Sequence, residues 1–148
     1  YTKAPAPVAS SLTGPTVEML RDVVEGNERE IALRITSPSK AALMDVEIVS
    51  DADVRSVNVM GLPAEGNGKG WRFHFNLFPR EGAEMVFRTD LKPLTLFLRE
   101  THYGLPEIPG INPRPDNMEP QPNTIKHRSH GLLGERTYVT RTASFPSK

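Results

Sequence analysis

The chain has 148 residues, with 18 Lys plus Arg against 18 Asp plus Glu, 14 Pro, 11 Gly and no Cys. That length suits one domain, and the balanced charge argues against a nucleic-acid partner recognised through a bulk basic field. The absence of Cys excludes a disulfide framework, a thiolate metal site and a cysteine nucleophile. No run approaches the roughly 18 apolar residues of a membrane span, so we expect no direct membrane insertion of these residues.

The first fifteen residues predict a linker. Prolines separate small residues such as Ala4 and Ser10, and such a segment buries too little surface to fix its own conformation. We therefore place a linker over residues 1–15 and a single domain over residues 16–148.

From residue 16 to about residue 100, apolar and polar side chains alternate with a period of two, which predicts strands. The alternation is clearest in four segments: 31–35, 44–48, 71–77 and 94–98. Further strands are predicted over residues 17–25, 54–60 with a bulge near Ser56, 85–89 and 136–142. Segment 17–25 carries apolar residues on both faces, which is typical of a strand covered on both sides.

Turn signals separate these strands. Gly26-Asn27 is a hairpin pair, residues 61–70 form a long glycine-rich loop, and residues 79–82 close the aromatic strand. The strands recur about every 10 to 15 residues, and no window shows a helical period. The fold class that this pattern predicts is all-β, an antiparallel β-sandwich of about seven to nine strands.

A proline-rich segment covers residues 102–123. Proline lacks the N–H that a sheet ladder needs, so this segment is predicted to run extended, largely as polyproline II. Its apolar residues favour an ordered strap that lies over a surface, since long connections of this kind are often functional. The candidate interaction residues of the strap are His102, Tyr103, Leu105, Ile108, Ile111, Arg114 and Met118.

Three residue groups could carry chemistry, and each has a simpler interpretation. His127 and His130 have strand spacing that sends their rings to opposite faces, so they are interpreted as loop histidines rather than metal ligands. Asp45, Asp51 and Asp53 lack the pattern of a calcium loop and are interpreted as turn residues.

The aromatic stripe of Trp71, Phe73 and Phe75 would be a binding platform if it faced water. Its period of two favours a place in the core instead, because polar residues alternate with it. We therefore predict no catalytic, cofactor-binding or metal residue in this chain.

The motifs that follow the sheet are Thr101-His-Tyr-Gly-Leu-Pro106, Asn112-Pro-Arg-Pro115 and Arg136-Thr-Tyr-Val-Thr-Arg141. Together with Thr36-Ser-Pro-Ser39 they resemble the C-terminal soluble β-domain of bacterial membrane-bound zinc peptidases of the aminopeptidase and transferrin-receptor-like family. The resemblance covers most of the chain from about residue 16.

The resemblance implies a non-catalytic accessory domain that packs on or gates the peptidase domain of the same polypeptide. It implies that Tyr1 follows shortly after the last membrane helix, on the extracytoplasmic (periplasmic) face of a bacterial membrane. The family's zinc ligands belong to the peptidase domain, and no segment here matches their motifs, so no cofactor is expected in this chain. Two alternatives stay open: a stand-alone module that binds glycan or peptide, and a small hydrolase that uses His127 or His130.

Overall fold

The computed structural model describes residues 12–103 and 136–148. These residues form nine strands and no helix, and none of them provides an apolar helix long enough to cross a membrane. The strands are β1 (Thr16–Glu25), β2 (Glu28–Thr36), β3 (Leu43–Ile48), β4 (Val54–Val59), β5 (Leu62–Ala64), β6 (Arg72–Phe75), β7 (Ala83–Thr89), β8 (Leu94–Tyr103) and β9 (Arg136–Phe145).

The nine strands divide into two antiparallel sheets. The first sheet has the order β1-β2-β7-β4-β5, and the second has the order β6-β3-β8-β9. Because strands that follow one another in sequence repeatedly change sheet, neither sheet is a simple meander. The predicted all-β sandwich of seven to nine strands is confirmed.

The core lies between the sheets and is built from every second residue of their strands. The first sheet contributes fully buried side chains from β2 and β7, and the second contributes them from β3 and β8. Because successive side chains point to opposite faces, this alternation places one apolar row of each strand inside. Representative members are Ile31, Leu33 and Ile35 of β2, Phe87 of β7, Met44, Val46 and Ile48 of β3, and Leu94, Leu96 and Leu98 of β8.

The aromatic strand leaves its predicted phase after Phe75. Trp71 and Phe75 are buried as predicted, but Leu77, which the same alternation placed inside, is 82% exposed. Strand β6 ends at Phe75, and Phe78 takes the next core position. The ring of Phe78 lies edge-on to that of Phe75, with 5.2 Å between centroids. Leu77 is therefore turned towards solvent.

Strand β1 corrects another prediction, because it is not covered on both sides. Among the described strands it is an edge strand that pairs with β2 alone, and Met19, Leu20, Val23 and Val24 are all exposed. Apolar residues on both faces therefore mark an edge in this chain rather than a buried strand. The pairing with β2 shifts register between Met19 and Arg21, so that Leu20 is an extra residue in the strand.

Most of the predicted turns and irregularities are present in the structure. Gly26 and Asn27 form a two-residue loop between β1 and β2, with a positive φ at Gly26. The register of β4 against β7 shifts next to Ser56, which confirms the predicted bulge. The long loop predicted over residues 61–70 is partly wrong, since it contains the short strand β5.

The turn between β4 and β5 holds a non-glycine residue in a left-handed conformation. Val59 pairs with Leu62, which leaves Met60 and Gly61 as a two-residue loop. Their φ angles are 52° and 80°. Positive values at both loop positions are the pattern of a type I′ turn, which favours Asn, Asp or Gly at the first position. Met60 is therefore locally strained.

Replacing Met60 with Asn is expected to raise the free energy of unfolding by about 0.5–1 kcal/mol, because Asn tolerates a positive φ better than Met does. The measurement is urea unfolding of both proteins. Met60→Ala is the matched control: it removes the side chain but lacks the tolerance of a positive φ that Asn has, so no stabilisation is expected. Equal stabilisation by Asn and Ala would show that the exposed side chain, rather than the backbone, is unfavourable.

One end of the sandwich gathers many of its connections. The strand registers place the start of β1 beside the end of β2, and the end of β8 beside the start of β3. The same end holds the connections 37–42, 60–61 and 76–82, together with the end of β8 and the start of β9. We call it the Thr16 end.

Candidate functional site

The predicted strap begins at the Thr16 end, and the structure describes two of its seven candidate residues. His102 and Tyr103 are the last residues of β8. The Tyr103 ring is 62% exposed, and the guanidinium of Arg136 lies 5.8 Å from its centroid. The other five candidates, Leu105, Ile108, Ile111, Arg114 and Met118, lie outside the described residues, as do His127 and His130.

A buried carboxylate lies beneath the root of the strap. Glu100 of β8 faces inward and is fully buried. Its Oε2 lies 3.2 Å from the Ser39 hydroxyl and 3.3 Å from Nε2 of His102. Its Oε1 has no hydrogen-bond partner within the described part of the chain. Ser39 also lies 2.7 Å from the Thr13 carbonyl, to which it donates.

This cluster contains a serine, a histidine and a carboxylate, but not in the arrangement of a hydrolase triad. In a triad the histidine lies between the nucleophile and the acid. Here the carboxylate of Glu100 lies between Ser39 and His102. The arrangement instead ties the end of β8 to the 37–40 turn and to residues 12–15. Those four residues belong to the segment predicted as linker, and Arg141 of β9 also donates to the Pro15 carbonyl.

The outer face of the second sheet carries a charged row across three strands. Asp45 of β3 lies between His74 of β6 and Arg99 of β8. Nδ1 of His74 is 2.6 Å from one carboxylate oxygen of Asp45, and Nε and Nη2 of Arg99 are 3.0 and 2.9 Å from the other. Burial raises the pKa of Asp45, but the hydrogen bonds from His74 and Arg99 together outweigh it. The pKa of Asp45 therefore lies below its usual value of 3.8.

Asp45→Asn is expected to lower the free energy of unfolding by about 1 kcal/mol at neutral pH. Because the pKa of Asp45 is lowered by folding, the unfolded chain takes up the proton first as the pH falls. The stabilisation is therefore complete above about pH 5 and is lost as the pH falls through the folded-state pKa. Urea unfolding from pH 7 to pH 2.5 measures the free energies of unfolding of the two proteins, which are expected to converge as the pH falls.

Thr140→Ala is the control for that pH series. Thr140 pairs with Arg99 in the same row and carries no titratable group, so its difference from the wild type is expected to stay constant with pH. A constant difference for Asp45→Asn as well would contradict the assigned role of the carboxylate.

Two exposed tyrosines extend this row towards the Thr16 end. Tyr138 of β9 lies under Arg99, whose guanidinium carbon is 5.5 Å from the ring centroid. Tyr103 lies two pairs further along on the same face, opposite Arg136. We call the six outward side chains the tyrosine face: Asp45, His74, Arg99, Tyr103, Arg136 and Tyr138. Stacked cations and hydrogen-bonding groups beside aromatic rings can hold a planar or polyhydroxylated ligand.

A second surface lies where the free edges of the two sheets meet. Met60, Leu62 and Leu77 are 50%, 71% and 82% exposed. Met60 and Leu77 separate two concavities of about 610 and 400 Å³. We call this surface the edge groove, lined chiefly by Met60, Leu62, Pro63, Leu77, Phe78 and Pro79.

The edge groove was not predicted from the sequence. Two signals pointed to it. Met60-Gly61 separates two short apolar segments by two residues, as in a tight hairpin. Phe78, which comes before Pro79, is a second aromatic residue near the end of the strand, and it takes the core position instead of Leu77.

The other candidate residues from the sequence that the structure describes lie in the core, in a strand or in a connection. Trp71 is 4% exposed, stacks on Phe73 and donates through Nε1 to the Glu65 carbonyl. The predicted core position of Trp71 is therefore confirmed. Asp45 is wrongly interpreted as a turn residue, because it lies within β3, whereas Asp51 and Asp53 lie in the following connection. Across residues 12–103 and 136–148, no three His, Asp or Glu side chains come together as metal ligands.

No protein-family model matches this chain, and no curated protein matches it. Among solved structures, one similar chain is a protein from Archaeoglobus fulgidus, described only as a crystal structure. It is 12% identical, and the alignment covers 93% of this chain and 98% of that chain with a TM-score of 0.22. A likeness at this level carries no argument about fold or function.

Proposed function

We propose that this chain is a non-catalytic accessory domain of a membrane-anchored, zinc-dependent peptidase. In this proposal it lies on the extracytoplasmic (periplasmic) face of a bacterial membrane, where it packs on or gates the peptidase domain of the same polypeptide. The zinc ions belong to that peptidase domain, which supplies the catalytic chemistry. The motifs that begin at Thr101 and Arg136, which resemble this family, support the proposal.

The structural observation that carries the proposal is the grouping of contacts at the Thr16 end. Residues 12–15 lie against the 37–40 turn through the bond from Ser39 to Thr13. Tyr103 and Arg136, which flank the connection 104–135, lie side by side at the same end. A domain joined to its neighbour at this end would present these side chains to it. Exposed apolar and aromatic residues on such a surface favour a binding role.

The test is the coding sequence upstream of Tyr1 together with an activity assay. We expect that sequence to encode membrane helices and a domain with paired zinc-ligand motifs. The intact polypeptide is expected to cleave an unblocked oligopeptide in a zinc-dependent manner, and the 148-residue chain alone is expected not to cleave it. An upstream sequence without a peptidase domain, or cleavage by the isolated chain, would reject the proposal.

The tyrosine face favours a second candidate function, a module that binds glycan or peptide. Tyr103 and Tyr138 are both exposed on one sheet face beside Arg99 and Arg136. Trp71, which would have formed a platform only if it faced water, is buried and contributes nothing to this surface.

Calorimetric titration of the chain with a neutral β-linked hexasaccharide and with an unblocked decapeptide tests this second function. If the tyrosine face binds either probe, Tyr138→Ala is expected to weaken binding by about tenfold or more. The exposed Leu62 lies in the edge groove rather than on the tyrosine face, so Leu62→Ala is the control. No heat with either probe, or equal losses in both variants, would count against the tyrosine face.

A further inference from the structure

The edge groove exposes apolar side chains that the sequence could have hidden. Met60 occupies a turn position with a positive φ, which Gly or Asn fits better. At Leu77 the chain turns an apolar residue outward and fills the core with Phe78 instead. Backbone strain of this kind is commonly retained where a surface contacts a ligand. The positive φ of Met60 and the outward position of Leu77 therefore lie on the same surface.

The border of the edge groove carries unpaired positive charge. Lys40 and Arg80 line its larger concavity, and both are exposed. Neither side chain makes an ion pair within residues 12–103 and 136–148. Among the described residues that line this concavity, Glu81 is the one acidic residue. A partner with carboxylates opposite Lys40 and Arg80 would complement this charge.

The position of the groove indicates which partner can reach it. Lys40 belongs to the turn that hydrogen-bonds residues 12–15: Lys40 N donates to the Ser37 carbonyl, and Ser39 donates to the Thr13 carbonyl. The first described residues therefore lie against the turn that borders the groove. Concavities of about 610 and 400 Å³ can receive the side chains of a protein partner.

We propose that the edge groove receives apolar side chains of the domain that precedes this chain in the same polypeptide, with carboxylates of that domain opposite Lys40 and Arg80. This inference rests on the proposed function, because it names the surface through which the accessory domain docks. Strands β5 and β6, which are edge strands among those the structure describes, flank the groove.

The test compares thiol accessibility in the intact polypeptide and in the 148-residue chain. The chain has no cysteine, so Leu77→Cys introduces one thiol in the groove. Val49→Cys is the matched control, because Val49 is also an exposed apolar residue but follows β3 at the opposite end. Maleimide labelling is read at each residue by peptide mass spectrometry.

We expect Leu77→Cys to react about tenfold or more slowly in the intact polypeptide than in the isolated chain, and Val49→Cys to react equally in both. Exchanging Lys40 and Arg80 for Glu together is expected to restore labelling of Leu77→Cys in the intact polypeptide. Restoration would support the charge pairing, whereas unchanged protection would reject that part of the inference.

Three other outcomes would overturn the docking surface. Equal labelling of Leu77→Cys in both proteins would show that the groove is free. Protection of Val49→Cys alone would place the interface at the opposite end and leave the proposed function intact. Protection of Leu77→Cys in the isolated chain by phosphatidylglycerol vesicles would assign the groove to lipid. Failure of the proposed function is recognised separately, by an upstream sequence that encodes no peptidase domain.

Discussion

Replacing Arg29 with Ala is expected to lower the free energy of unfolding by about 3–5 kcal/mol, the range for breaking a buried ion pair. Arg29 of β2 faces inward and is fully buried. Its Nε and Nη2 donate to the two carboxylate oxygens of Asp22 at 2.9 and 2.8 Å, and its Nη1 donates to the Pro146 carbonyl. This hydrogen bonding lowers the pKa of Asp22.

The loss is expected to be large because the substitution leaves its partners uncompensated. Of its described charged partners, Asp22 would keep Lys148 alone, whose Nζ is 3.4 Å away. The Pro146 carbonyl would lose the donor that holds the C-terminal residues against β2. Arg29→Lys keeps the charge but cannot donate two parallel bonds, so an intermediate loss is expected.

Guanidinium chloride unfolding measures the effect, with Arg55→Ala as the matched control. Arg55 also forms an ion pair with a carboxylate, that of Glu28 on β2, but both side chains are substantially exposed. Its removal is expected to change stability by less than about 1 kcal/mol. If Arg29→Ala and Arg55→Ala lowered the free energy of unfolding equally, burial of the Arg29–Asp22 pair would not increase its contribution to stability.

Gly82→Ala is expected to lower the free energy of unfolding by about 3 kcal/mol or more, because it combines backbone strain with a steric collision. Gly82 has a φ of 92°, and its N–H closes a turn on the Pro79 carbonyl at 3.1 Å. A Cβ at this position would lie 2.6 Å from the Ile35 carbonyl oxygen and 2.7 Å from Cγ2 of Thr36. The Ile35 carbonyl belongs to a central strand and cannot move without disturbing the sheet.

Gly68→Ala separates the two contributions. Gly68 has nearly the same φ, 88°, but an added Cβ would meet nothing within 4 Å. Its loss is expected to be about 1–2 kcal/mol, the conformational part alone. The difference between the two variants in thermal or denaturant unfolding therefore measures the collision. Equal effects would mean that the strands relax around the added methyl group.

The strands were predictable wherever burial and alternation agree. Segments 44–48 and 94–98 alternate without a break, and both lie in the middle of the second sheet with one face in the core. Strand β5 was not predicted because it has three residues, one of them Pro63. The sandwich was predicted, but the order of the strands within each sheet could not be derived, since the pairing of distant strands depends on packing that no local pattern encodes.

The candidate surfaces were less predictable than the fold. His102 and Tyr103 lie at the expected root of the strap, and the role of its remaining residues stays a prediction. The tyrosine face depends on pairing Tyr138 of β9 diagonally with Arg99 of β8. Those residues are far apart in sequence, so only the sheet brings them together. The edge groove depends on Leu77 pointing outward, whereas simple alternation placed it inside.

The extra residue in β1 has a consequence for solubility. A ten-residue edge strand with apolar side chains on both faces would otherwise be a ready template for intermolecular pairing. Leu20 interrupts the regular repeat of outward N–H and C=O groups halfway along the strand. Two molecules that approach through this edge cannot match their ladders over its full length. The bulge thus discourages fibre-like stacking at high concentration while leaving the hairpin with β2 intact.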